Sequence, residues 1–294
     1  MDKTSNRQIP LIVIIVLGIM TTFGPLTIDM YVPSLPSVQS DFNTTASQAQ
    51  LTLSFAMIGL AIGQFIFGPL SDAYGRKKIA LIIIILYAIA SFIAVFATSM
   101  STLLTIRLIQ GLTGGGAIVI AKASIGDLHK GKALAKGLAS LLVVNGIITI
   151  IAPLIGGYAL SVSNWQAIFF ILTIVSMIIF FFALFKMEET RTADLSKLNF
   201  GTIFKDFGYL LKKPAFVFPM LLQGLTYVML FSFSSAAPFI TQKIYDMTPQ
   251  QFSVLFAING IGLIIMSQLT AILVSYINRY VLLIALTMIQ IAGV

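Results

Sequence analysis

The sequence predicts an all-α integral membrane protein, and three observations carry that prediction. The 294 residues are 58% hydrophobic and only 10% charged, whereas a soluble domain carries roughly 25% charged residues. Eight apolar runs reach the roughly 20 residues that a helix needs to cross a bilayer, and a ninth begins near the end of the chain. The cations gather in alternate loops between these runs.

The runs fall at 9–31, 46–70, 79–98, 102–124, 137–160, 167–187, 215–241, 251–273 and from 280 onward. Barrel strands would be about half as long and would alternate polar with apolar residues. Lys3, Arg7 and the stretch Leu11–Met20 have the build of a signal peptide. With no small-residue cleavage site after them, they are expected to form an uncleaved first helix. The ninth run holds 15 residues to Val294, a helix of roughly 22 Å against a hydrocarbon core of roughly 30 Å. It is therefore expected to be cut short.

The formal net charge of +8 invites a nucleic-acid reading, but the positions argue against one. With the N-terminus inside the cell, fifteen of the eighteen cations fall on the inner side: Lys3, Arg7, Arg76, Lys77, Lys78, Lys130, Lys132, Lys136, Lys186, Arg191, Lys197, Lys205, Lys212, Lys213 and Arg279. Only Lys243 lies in an outer loop. This is the positive-inside bias of a multi-pass protein, and the basic excess meets anionic lipid heads. There are no cysteines, so no disulfide framework is expected.

The segment 188–214 is the only long polar stretch, and it divides a six-helix half, 1–187, from a second part, 215–294. Within it Phe200, Ile203, Phe204, Phe207, Leu210 and Leu211 recur at helical spacing among lysines. That pattern suits either a helix lying on the inner leaflet or an ordinary tether.

The second and third runs are joined by Gly68-Pro69-Leu70-Ser71-Asp72-Ala73-Tyr74-Gly75-Arg76-Lys77-Lys78. Gly68 and Gly75 allow a sharp turn, Asp72 is placed to cap or pair with a helix end, and the cations anchor the turn at the inner surface. The string resembles the G-x-L-x-D-R-x-G-R-K-x signature of the major facilitator superfamily of transporters, with Ala73 for the usual Arg. Six spans, an inner linker and further spans also match that fold, which has two six-helix halves. The resemblance implies a complete first half, about three helices of the second, and three missing helices. It gives Gly68, Asp72, Gly75, Arg76 and Lys77 a gating role, closing against a late helix beyond Val294. The second-half counterpart, Ser275 to Arg279, is degenerate and is given no role.

Arg107-Leu108-Ile109-Gln110-Gly111-Leu112-Thr113-Gly114-Gly115-Gly116 lies inside the fourth run. Arg107, Gly111 and Gly115 share one helix face, and small residues let another helix approach closely. An arginine at membrane depth is costly and marks function. Asp29 lies roughly 30 Å from Ile9, and Arg107 roughly 9 Å from Ser101. Both depths are in the outer part of the membrane, so the two are expected to meet. The run resembles the superfamily's R-x-x-Q-G-x-G-x-A pattern, whose arginine takes part in proton coupling. Asp29 and Arg107 are accordingly the expected coupling pair, with substrate tipping the balance between the charged and protonated carboxyl. The alternative for Asp29 is that it ends its helix, hydrated at the interface.

Around Asp29 stands Gly24-Pro25-Leu26-Thr27-Ile28-Asp29-Met30-Tyr31-Val32-Pro33-Ser34-Leu35-Pro36, followed by Gln50-Leu51-Thr52-Leu53-Ser54. Both resemble the bicyclomycin and chloramphenicol resistance (Bcr/CflA) family of drug:proton antiporters. Ala152-Pro153-Leu154-Ile155-Gly156-Gly157 partly matches the exporters' G-P-x-x-G-G, with Ala152 for a glycine and Ile148 where another is usual. A packing kink explains the same residues. Asn145, Thr149 and Pro153 line one helix face, and Gln223, Tyr227 and Phe231 another; these are the candidate substrate contacts, with Asn259 and Gln268 in the eighth run. Trp165 is expected to anchor at the outer interface, Lys122 to snorkel to the inner surface, and His129 to be solvated in an inner loop.

The resemblance implies a monomeric transporter of the bacterial inner membrane. It would export drug-like small molecules by alternating access, with the proton gradient as energy source and no cofactor. The alternatives are a sugar or nutrient facilitator or symporter of the same superfamily, and an inactive fragment. No nucleophile constellation, metal-ligand cluster or nucleotide loop points to an enzyme.

Overall fold

The computed structural model describes residues 11–194, 200–274 and 276–292. Lys3, Arg7, Lys197 and Ser275, and the side chains of Phe200, Ile203 and Arg279, lie outside what it describes. Eight helices among the described residues are long and apolar enough to cross a membrane. The ninth expected span is helix α12, Arg279–Ala292.

The first crossing, Ile12–Asp41, runs ten residues past the expected boundary because it is not one straight helix. It comprises α1 (Leu11–Thr21), α2 (Phe23–Ile28), a 3₁₀ turn at Val32–Ser34 and α3 (Leu35–Asp41). The local chemistry explains the breaks. Thr21 and Thr22 donate their hydroxyls back to the carbonyls of Gly18 and Ile19, each at 2.6 Å, which competes with the helical ladder. Pro25, Pro33 and Pro36 each remove a backbone donor.

The next helices are α4 (Ala46–Tyr74), α5 (Arg76–Ala94), α6 (Met100–Leu128), α7 (Gly131–Val162) and α8 (Gln166–Lys186). Thr45 caps α4 by accepting from the Gln48 N–H, and Ser99 caps α6 by accepting from Thr102, both at 3.2 Å. Beyond the linker come α9 (Phe200–Leu210) and α10 (Pro214–Phe239), which continues into a π turn at Ile240–Ile244, then α11 (Pro249–Leu273). A reciprocal capping box between Thr248 and Gln251 starts α11. Helix α9 sets Phe204 and Phe207 against Phe65 of α4, with ring centroids 5.2 and 6.2 Å apart.

Helices α4 and α6 touch backbone to backbone. A Cβ on Gly59 would strike the Leu108 carbonyl, and one on Gly63 that of Leu112; on Gly111 it would strike that of Ala56, and on Gly115 that of Leu60. Four glycines thus interdigitate along one seam, and only their missing side chains let the two helices meet. Elsewhere α5 packs on α8, and α7 carries the contact to the second half by packing on α11.

Trp165 departs from expectation. It is 2% exposed, its ring lies between Phe42 and Phe169, and its Nε1 donates to Asp41 Oδ2 at 2.8 Å. It ties the start of α8 to the end of α3, because the Asp41 carboxylate meets the need of the indole N–H for a partner.

The glycine seam sets an expected contrast. Gly111→Val should lower the thermal midpoint of the purified protein and its yield of monodisperse material. Gly224→Ala, where an added Cβ has nothing within 4 Å, should stabilise by about 0.5–1 kcal/mol. Differential scanning fluorimetry in detergent reads both.

Candidate functional site

Three constellations occupy the first half and its border with the second. The deepest is built on Arg107, which is fully buried. Its Nη2 donates to the Thr27 carbonyl at 2.8 Å, its Nη1 to Gln110 Oε1 at 2.6 Å and its Nε to the Thr52 carbonyl at 3.3 Å. The guanidinium lies over the Tyr31 ring, 4.4 Å from its centroid. Tyr31 in turn receives a hydrogen bond from Thr52, and Gln110 donates to Ser91. The Thr27 carbonyl is within reach because the first crossing breaks immediately beyond it.

Asp29 is not part of this shell. Its carboxylate forms no ion pair among the described residues, and the expected Asp29–Arg107 pair is absent. A shared depth along the bundle does not fix azimuth. Asp29 caps α2 at the break and is half-buried, while backbone carbonyls, Gln110 and aromatic faces satisfy Arg107. Gln110 stands in the fourth-run string, yet sequence reasoning gave it no role. Its signal is its position, one turn from a buried arginine.

The second constellation is the turn between α4 and α5. Gly75 has φ +98°, a backbone conformation that favours glycine. Arg76 is 3% exposed and pairs with Asp72 at 2.5 Å and with Asp127 at 2.8 Å. It also donates to Ser71 Oγ at 2.6 Å and, more weakly, to the Gly68 carbonyl. Arg191 reaches back from the linker to Asp72 at 2.7 Å and to Asp127 at 3.5 Å. Glu189 accepts from the backbone N–H groups of Arg76 and Lys77 at 2.7 and 3.1 Å, so it caps the start of α5. Asp72 thus finds its partners within the first half and the linker. Sequence reasoning missed Asp127, Glu189 and Arg191. The run Glu188-Glu189-Thr190-Arg191 reads as ordinary linker polarity, and only the fold returns it to the turn.

The third is a cavity of about 790 Å³ between the halves. Thr21 and Gly24 of the first crossing, Met57 and Gln64 of α4, Lys122 of α6, Asn145 of α7, and Tyr227 and Phe231 of α10 contribute to its wall. Asn145 Nδ2 donates to the Thr21 carbonyl at 2.8 Å. Tyr227 and Phe231 stack, with centroids 5.9 Å apart and planes 18° from parallel. Lys122 is exposed and lines this space, one turn after Ile118 on α6. Thr149 and Gln223 are not in the wall: Thr149 donates back to the Asn145 carbonyl, and Gln223 is exposed a turn before Tyr227. Asn259 lines a separate pocket between α10 and α11, Gln268 is exposed, and His129 ends α6, half-buried.

At the end opposite the basic turns the two halves are held together. Gln242 donates to the Pro33 carbonyl at 2.9 Å, Lys243 to Gln39 at 2.5 Å, and Gln50 to the Ser235 carbonyl at 3.0 Å. Ala152 and Pro153 are buried just inside this end. Added Cβ atoms would press Gly156 into the Met30 carbonyl and Gly157 into Ser253 of α11. The glycine pair thus lets α7 approach the backbone at Met30 and Ser253 of α11 closely. The cavity wall runs the other way, to Lys122, six residues or roughly 9 Å short of the basic end of α6.

Because Arg107 and Asp29 are separate, their substitutions should part in stability. Arg107→Lys, a point charge without the fork that serves three acceptors, should lower the thermal midpoint by several degrees. Asp29→Asn should move stability by no more than about 1 kcal/mol, against the 3–5 kcal/mol expected on breaking a buried pair. Thermal unfolding followed by tryptophan emission reads both through Trp165.

Residues 17–294 match the family model described as Major Facilitator Superfamily. The MFS-type transporter YdgK of Bacillus subtilis is 36% identical over 84% of this chain and 62% of its own length. A bicyclomycin resistance protein homolog of Haemophilus influenzae is 28% identical over 91% and 67%. The multidrug resistance protein MdtL of Salmonella paratyphi B is 25% identical over 82% and 61%. The chain thus spans about two thirds or less of the length of these relatives. Among solved structures, a bacterial homolog of the human lysosomal transporter Spinster, inward-facing and unoccupied, superposes with TM-score 0.71 at 16% identity, covering 91% of this chain and 63% of that one. A D-xylose–proton symporter superposes with TM-score 0.66 at 15% identity, covering 92% and 70%. With the six-helix half, the linker and the basic turn already in place, these likenesses make the chain a member of the Major Facilitator Superfamily, similar within it to the Bcr/CflA-type resistance transporters.

Proposed function

We propose that this protein exports drug-like organic molecules across the bacterial inner membrane in exchange for protons, by alternating access of the central cavity. The observation that carries the reading is the cavity itself. It lies at membrane depth between the two halves, closed at one end by inter-half hydrogen bonds and walled to within roughly 9 Å of the basic end. On this reading the basic face is cytoplasmic, following the positive-inside bias, the N-terminus lies inside, and a single chain forms the path.

The geometry revises how protons would be coupled. Asp29 is the proton carrier: a half-buried carboxyl at a break in the first crossing, with no cation holding it. Arg107 is a positioning residue, since it grips the Thr27 carbonyl two residues before Asp29 and thereby sets where the break falls. Each proton that enters moves one charge down the membrane potential, worth about 2.3 kcal/mol per 100 mV. Likeness to resistance proteins supports the export direction, and the polar closure between the halves supports rocking about a central site.

In everted vesicles energised by respiration, the full chain should accumulate chloramphenicol in the lumen, and Asp29→Asn should abolish that uptake while leaving insertion intact. Unchanged accumulation removes Asp29 from the mechanism. Movement of solute only in the opposite, inward direction would replace export with nutrient import.

The polar closure should also report the cycle. The chain has no cysteine, so Gln39→Cys with Lys243→Cys gives a clean pair for a short bis-maleimide. Cross-linking should be efficient at rest and should block transport. Transport that survives full cross-linking would exclude opening at this end.

A further inference from the structure

The charges in the wall of the central cavity are unlike those at either face. Among the described residues Lys122, which is exposed, is the only charged side chain in its wall, no carboxylate lines it, and no ion pair engages Lys122. The two amides are oriented by the backbone: Gln64 donates to the Leu60 carbonyl at 3.2 Å and Asn145 to that of Thr21. Neither neutralises the ammonium. Opposite these residues α10 presents the stacked faces of Tyr227 and Phe231.

From this we infer that among drug-like molecules the cavity favours an aromatic organic anion, its acidic group against Lys122 and its ring against Tyr227 and Phe231. The inference rests on the transport reading above and names its substrate class. A cavity with apolar walls and one sign of charge concentrates ligands of the opposite sign and repels cations of the same shape. Spacing along the bundle agrees. Lys122 is roughly 9 Å from the basic end of α6, and Tyr227 roughly 20 Å from the start of α10. A molecule about 10 Å long spans that difference with its acid toward the basic mouth. The inside-negative potential pushes such an anion outward, the direction proposed for transport.

The test is equilibrium dialysis of the detergent-purified full chain, with no gradient, against 1-naphthoate, 2-naphthylacetate and dansylglycine, their primary amides, and ethidium. The carboxylates should be retained at least about tenfold more tightly than the amides, the scale of one partly desolvated charge contact. Lys122→Gln should erase that difference, Lys122→Arg should keep it, and Lys122→Glu should retain ethidium, a gain that misfolding cannot mimic. Equal retention of acids and amides, preference for ethidium by the native protein, no retention at all, or an unaltered Lys122→Gln profile each overturns the inference. Efflux with no charge preference in binding would sink this inference alone. Charge-selective binding without efflux would sink the export reading alone.

Discussion

A guanidinium buried at membrane depth must find acceptors for its donors, and the first half is arranged around that demand. Arg107 cannot lose its charge and has no carboxylate in contact. Its partners are two backbone carbonyls, one amide oxygen and an aromatic face. An intact helix would spend the Thr27 carbonyl on its own ladder. The break after Ile28 releases it, so the irregular backbone and the buried cation account for each other. Because the other carbonyl belongs to Thr52, the same side chain fixes α4 relative to α6 and to the first crossing.

Polar groups elsewhere follow the same economy. The turn at Gly75 gathers Asp72, Arg76, Asp127, Glu189 and Arg191 so that charges and helix-end donors neutralise one another at the basic face. At the other end single hydrogen bonds to carbonyls, individually weak, add to the packing of α7 on α11. The first half is thus bound internally by networks, and the second half joins it through the α7–α11 packing and separate hydrogen bonds. Lys122, outside both networks, lines the cavity.

Much of this architecture was legible in the sequence. Run length gave the eight crossings among the described residues, and glycine spacing at Gly111 and Gly115 gave a close helix contact. What the sequence could not supply was azimuth and long-range partnership. Asp29 and Arg107 share a depth, but a break of a few residues turns Asp29 away. Lys122 lies near the basic end, where lysines commonly snorkel, and only the packing of α6 shows that it also lines the cavity. Trp165 sits where interface tryptophans sit, but Asp41, 124 residues away in sequence, claims its N–H. Arg191 and Glu189 reach across more than a hundred residues to the turn, a distance at which periodicity carries no information.

The seam of Gly59, Gly63, Gly111 and Gly115 has a dynamic consequence. Contacts between side chains yield as rotamers hop, but a contact between backbones has no rotamers to hop. Along this line α4 and α6 have no soft coordinate and move as one stiff beam. Thermal motion in the bundle then falls to its softer joints, the broken first crossing among them. A beam with its compliance at one end converts small local displacements there into larger travel at the other.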